Sequence, residues 1–226
     1  QRDFLEAGQF GQAPIHYPYR YLAPVNTGVP SGMDLDRNGK IAGGNDAFGF
    51  GLHPGQYGML VLSRFPIDAG AVRTFQILAW KDLPGASSPV DPATGAAWYP
   101  PEVWARLRLS SKSHWDVPVR TPLGTIHFLT HHPTPPVFDG PEDRNGLRNR
   151  DEIRLWAEYI SEGGKPWLCD DRGICGGLPA PALVFPNYND HGYAKIALDP
   201  ASIAFIRGNM ERIDDVPPIC DIGNQE

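Results

Sequence analysis

Apolar and polar residues alternate in several short runs separated by turn residues, the period-two signature of half-buried strands. Tyr17, Tyr19 and Tyr21 alternate in one extended segment. Tyr57 to Ser63 is a compact apolar run that Pro66 ends soon afterwards. Arg73 to Trp80 and Arg106 to Ser111 also alternate, and Thr125 to His132 is β-prone after a turn at Pro122, Leu123 and Gly124. These runs predict at least four strands. A Pro/Gly-rich insert from Asp82 to Pro101 separates two of them and is expected on the surface.

The period lengthens twice. From Arg150 to Ile160, Ile153, Trp156, Ala157 and Ile160 recur at helical spacing; Asn149 with Glu152 reads as a capping pair, and Gly163, Gly164 and Pro166 stop the helix. A second helix is expected from Pro200 to Ile213, with Asp199 as N-cap and Ile203, Ile206, Met210 and Ile213 as its stripe. Strands followed by helices predict an α/β layered domain.

Composition narrows this picture. Gly (25) and Pro (24) make up more than a fifth of the 226 residues, which excludes a helical bundle. A net charge of −6 excludes a polybasic membrane binder and predicts no extended nucleic-acid-binding face, while leaving room for an enzyme that engages a few phosphates. No apolar stretch approaches the roughly 20 residues needed to cross a bilayer. The chain opens on polar Gln1, Arg2 and Asp3, and a first residue other than Met reads as a processed, trimmed or partial chain. Cys169 and Cys175 enclose a short loop at a spacing that a local disulfide can close, with three reduced thiols as the alternative.

Three constellations offer chemistry. The first is Asp34, Asp36, Asn38 and Gly39, in which hard oxygen ligands at alternate positions precede a glycine turn, as in loops that wrap Ca²⁺. Lys40 would add its backbone carbonyl, Ile41 would pin the loop to the protein body, and Asp46 would stand in for the usual bidentate Glu. The second is the strand end Thr-His131-His132-Pro. Neighbours on a strand point to opposite faces, so only one of the two histidines reaches a given site, well placed to act as general acid or to bind a transferred group. The third comprises Ser111, Lys112, Ser113 and His114 with Arg144, Arg148 and Arg150, cations suited to an anion. Charges solvated around a helix start are the alternative for the arginines.

The stretches NDAFGFGLHPGQYGMLVLSRFPI, RLSSKSHWDVPV and HFLTHHPTPPVFDGPEDRNGLRNRDEIRLWAEYI resemble the interior of a secreted bacterial member of the endonuclease/exonuclease/phosphatase superfamily, over residues 1–180. The resemblance implies a four-layer α/β fold, a two-sheet β-sandwich flanked by helices and here incomplete. It also implies hydrolysis of a phosphoester substrate with Mg²⁺ or Mn²⁺. Carried over by its HPTP context, His132 is expected to hydrogen-bond the scissile phosphate or act as general acid. His114 and Lys112 are expected beside it, with Arg144 and Arg148 as further substrate contacts. A secreted or periplasmic location follows from the same likeness.

The departures are substantial. The superfamily's early Asn strand, its metal-binding Glu, its Gly-Asp-x-Asn and its final Ser-Asp-His have no counterpart here. Residues 181–215 instead resemble a stretch of M1-type aminopeptidases without the zinc motif, so 181–226 is expected as an unrelated strand–helix piece packed on the main domain. Two expectations follow: a metal-dependent phosphoester hydrolase, or a catalytically disabled, calcium-stabilised scaffold. A truncated sandwich exposes backbone and apolar surface that a second copy would cover, hence a homodimer.

Overall fold

A computed structural model of the chain describes residues 5–161, 165–178 and the backbone of 183–186. Two sheets lie in the unit Gln1–Gly192, and the helix expected at 200–213 falls outside the described residues. The smaller sheet pairs β1 (Tyr19–Tyr21) with β2 (Val61–Ser63), antiparallel. The larger runs β3 (Arg73–Thr74), β4 (His114–Thr121), β5 (Gly124–His131) and β6 (Leu183–Pro186), antiparallel except where β6 joins β5 in parallel. Thus β6, from the C-terminal segment 181–226, joins the main sheet through β5.

The β4–β5 hairpin organises the fold. Its turn places Thr121 opposite Gly124, whose φ of 118° a side chain would strain. Pro118 sits mid-strand, where proline is usually excluded. Its carbonyl points away from β5 and accepts the Asp68 N–H, so its missing N–H costs the hairpin no bond. Alternate side chains of β4 then divide the core. Trp115, Val117 and Val119 face the smaller sheet and meet Val25, Met59 and Val72. His114 and Asp116, with His127, Leu129 and His131 of β5, face helix α2 (Arg144–Ile160). Helix, sheet and sheet make three stacked layers, consistent with an incomplete two-sheet sandwich.

Several elements differ from their patterns. Residues 106–111 form no strand, touching Ala79 only through a bridge at Arg108. The 82–101 insert is partly core: Leu83 and Tyr99 are buried, and Ser87 N–H donates to Asp151 at 2.6 Å. A four-residue helix α1 (Pro101–Trp104) follows it. Helix α2 starts at Arg144, earlier than its periodicity indicates, after Asp143 in a left-handed conformation with no side-chain cap. Its buried face is Glu152, Leu155, Trp156 and Tyr159, one position out of phase with the expected stripe, and Ile160 is exposed.

Beyond the strands, a disulfide joins Cys169 to Cys175. The loop it closes wraps the Arg73 guanidinium. Arg73 donates to the carbonyls of Ile174, Gly176 and Gly177 and pairs with buried Asp170 at 3.2 Å.

Candidate active site

His132 lies just past the end of β5 and is exposed, whereas His131 turns inward beneath Trp156, as strand alternation requires. Across from them, the segment Ser110–Ser113 leads into β4. Lys112 belongs to it and is 5% exposed, its ammonium donating to the Pro133 carbonyl at 3.4 Å. The Ser111 hydroxyl donates to the His132 carbonyl at 3.3 Å. The strand end and this segment are therefore in direct contact, which brings the Lys112 charge to act on the His132 ring in one place.

That place is electrostatically unusual. Burial first, then Arg148, pulls Lys112 down to about 8, with Glu152 acting against them. His132 is also lowered, by partial desolvation and then by the Lys112 charge, again opposed by Glu152. A phosphate anion between them would favour both charged forms.

His114 has a different station from the one expected. It is fully buried, its Nε2–H donating to the Glu152 carbonyl at 2.8 Å and its Nδ1 taking the Ser110 hydroxyl at 2.6 Å. No nitrogen remains for a substrate, so its role is to hold the floor. Its ring stacks on that of His131, centroids 4.9 Å apart. Trp156 Nε1–H donates to His131 Nδ1 at 3.0 Å, which puts the His131 proton on Nε2, the same tautomer as His114, and leaves that Nε2–H buried and without a partner among the described residues.

Burial holds both rings neutral, lowering His114 to about 4 and His131 to about 3. The unfolded chain binds these protons near 6.5, so between that value and the folded values the unfolded state carries more of them. Stability is expected to be complete above pH 6.5 and to fall as pH drops from there toward 4, by on the order of several kcal/mol. Urea midpoints between pH 7.5 and 4.5 measure this; a flat series would contradict it.

The arginines are engaged as well. Arg148 donates Nε to the Leu109 carbonyl at 2.9 Å and Nη2 to the carbonyls of Phe48 and Arg108 at 2.6 and 2.8 Å. It binds loops together where a substrate contact is expected. Arg144 pairs with Glu142. From the sequence Asn26 is missed and Glu152 is given a capping role, whereas Glu152 lies well inside α2; both are buried. Asn26 donates to the carbonyls of Gln76 and Ser110 at 2.7 Å each. The detectable signal for Glu152 is a carboxylate on the same helical face as Leu155, Trp156 and Tyr159.

The acidic loop gathers as its spacing predicts. Asp34, Asp36 and Asp46 bring carboxylate oxygens within 4.8 Å of one another, the one such grouping of three or more ligating side chains among the described residues. Gly39 N–H donates to Asp34 at 2.8 Å and Lys40 N–H to the Asn38 side chain at 2.8 Å, winding the loop inward. Asp46 is buried and receives the N–H groups of Leu35 and Ala42. Ile41 does not pin this loop; it is 63% exposed, and Asp46 anchors the loop in its place.

Comparison with known proteins agrees with this frame. Residues 3–169 match the model of the Endonuclease/Exonuclease/phosphatase family. No curated protein and no solved structure matches the chain, and nothing supports the likeness of residues 181–215 to aminopeptidases. A match over most of the length, on a sheet-and-helix frame with the strand-end histidine inside it, shows that the chain belongs to the endonuclease/exonuclease/phosphatase family of metal-dependent phosphoester hydrolases.

Proposed function

We propose that the chain hydrolyses phosphoester bonds with the help of a divalent metal ion, as a phosphodiesterase, nuclease or phosphatase. The observation that carries this reading is His132, exposed at the end of β5 inside the matched span, with the Lys112 ammonium acting on it. Lys112 supplies a point charge for a phosphate oxygen. His132 hydrogen-bonds the scissile phosphate or protonates the leaving oxygen, and the anion restores the proton that desolvation disfavours.

A divalent metal in this chemistry neutralises phosphate charge. The described residues around His132 do not fit such an ion. Glu152, whose charge reaches the ring, is buried with both oxygens on backbone N–H groups. The test is hydrolysis of bis-p-nitrophenyl phosphate and p-nitrophenyl phosphate with Mg²⁺, Mn²⁺ or Ca²⁺ against EDTA. Turnover that EDTA removes is expected; none with any metal would favour a disabled scaffold.

Asp34, Asp36, Asn38, the Lys40 carbonyl and Asp46 are assigned to a structural Ca²⁺. All are hard oxygen donors, and the three carboxylates already converge. At a hundredfold excess over Kd such an ion adds about 2 to 3 kcal/mol. EDTA is expected to lower Tm, and Asp34→Asn to lower Tm and abolish the EDTA effect. An unchanged Tm, with no Ca²⁺ by elemental analysis, would remove the assignment. A secreted or periplasmic location fits the Cys169–Cys175 bond, since disulfides persist in oxidising compartments. Thiol titration of the denatured chain that found all three cysteines reduced would remove that support.

A further inference from the structure

The hydrolase reading needs Lys112 and His132 to meet one phosphate, and both lie just beyond the last pair of the β4–β5 hairpin, His114 opposite His131, where strand pairing no longer holds them. Both segments are fastened to one side chain of α2. Glu152 is 1% exposed; its Oε1 accepts Ser111 N–H at 2.6 Å and its Oε2 accepts Thr134 N–H at 2.6 Å. Its own carbonyl takes the His114 ring at 2.8 Å.

We infer that Glu152 is the positioning residue of the site, its carboxylate setting the separation of Lys112 from His132. The inference rests on the hydrolase reading. Each bond lands next to the group it places: Ser111 precedes Lys112, and Thr134 follows His132 and Pro133. A buried carboxylate is tolerated only when hydrogen-bonded and compensated by charge. Here the two N–H groups supply the bonds. The charges and titratable groups facing it are Lys112 from the loop, Arg148 from its own helix, and His131 and His132 from the end of β5.

The clamp is supported from both sides. Asn149 donates to the Thr134 carbonyl at 2.7 Å, so a second residue of α2 holds the same segment. Beneath the other segment, a Cβ on Gly49 would fall 1.8 Å from the Ser111 carbonyl oxygen, so only glycine lets the loop reach Glu152. Glutamine in place of Glu152 would keep the shape but offer one acceptor oxygen, turning an NH₂ toward the second N–H.

The decisive variant is Glu152→Gln in the full chain, beside Val119→Ala as a destabilised control whose site lies between the two sheets. In Glu152→Gln, kcat for bis-p-nitrophenyl phosphate is expected to fall about 10- to 100-fold. The alkaline limb of its pH profile, set by Lys112, is expected to move to lower pH. NMR titration of the His132 ring is expected to shift downward, because the negative charge that opposed its desolvation is gone. Val119→Ala should lower Tm and move none of these.

If Glu152→Gln lowers Tm as the control does while kcat, the pH profile and the His132 titration stay in place, the residue is only structural and the inference is overturned. If the native chain hydrolyses no phosphoester yet the His132 titration moves, the hydrolase reading fails and the positioning of His132 stands. Should the glutamine variant not fold, Glu152→Asp keeps the charge on a shorter stem. It is expected to retain the pH profile and lose kcat; a retained kcat would overturn the clamp.

Discussion

Replacing His132 by alanine is expected to lower kcat toward phosphoesters roughly 10²- to 10⁴-fold while leaving Tm nearly unchanged. The stability half of this expectation follows from placement. The ring lies beyond the last β5 pair, His114 opposite His131, and is exposed, so its removal opens no cavity. The kinetic half follows from its neighbours. His131 faces away and is neutral, and both nitrogens of His114 are engaged, so no other imidazole of this cluster can take over. Loss of a proton donor that acts in the transition state should reduce kcat and kcat/KM alike. Metal-dependent turnover that survives His132→Ala would place the chemistry elsewhere in the chain.

The largest effect on stability is expected at Trp115. Its side chain is fully buried between the sheets, edge-on to the Tyr21 ring with centroids 5.3 Å apart. Trp115→Ala is expected to cost about 3 to 5 kcal/mol, through lost transfer energy and the cavity left between two rigid layers. Its Nε1–H, however, has no hydrogen-bond partner among the described residues. Trp115→Phe, which deletes this unpaired donor along with part of the ring, is therefore expected to cost less than about 1.5 kcal/mol. Urea unfolding of both variants measures the difference; equal losses would mean that the indole N–H finds a partner.

The parts of this fold that announce themselves in the sequence have a single dominant period. Residues 124–131 are a β-prone run after a Pro-Leu-Gly turn, and α2 is legible from its spacing. Its phase is not. Ile153, Ala157 and Ile160 look like the buried stripe because they are apolar, whereas the true stripe includes a carboxylate that two backbone N–H groups make tolerable. β4 is concealed by Pro118, whose missing N–H is harmless because it would point away from β5, on the side where Asp68 N–H takes the Pro118 carbonyl. Residues 106–111 alternate like a strand but are fastened by side chains, Arg148 on two of their carbonyls and Asn26 on a third. The site divides the same way. His132 and the acidic loop are short motifs and visible as such, whereas the engagement of His114 and Arg148 depends on contacts distant in sequence.

The loop closed by Cys169 and Cys175 also decides how this molecule meets its own kind. Along the outer margin of β3, Arg172 donates to the carbonyls of Gly70 and Val72 at 3.0 and 2.7 Å. Asp171 N–H donates to the Thr74 carbonyl at 2.8 Å, and its carboxylate accepts Gln76 N–H at 2.9 Å. Two consecutive residues thus occupy the places a neighbouring strand would fill. Exposed strand margins of this sort recruit other chains into growing aggregates. Here the main-chain groups that would template such recruitment are already consumed, and the margin is closed to a passing peptide by one backbone N–H and two side chains.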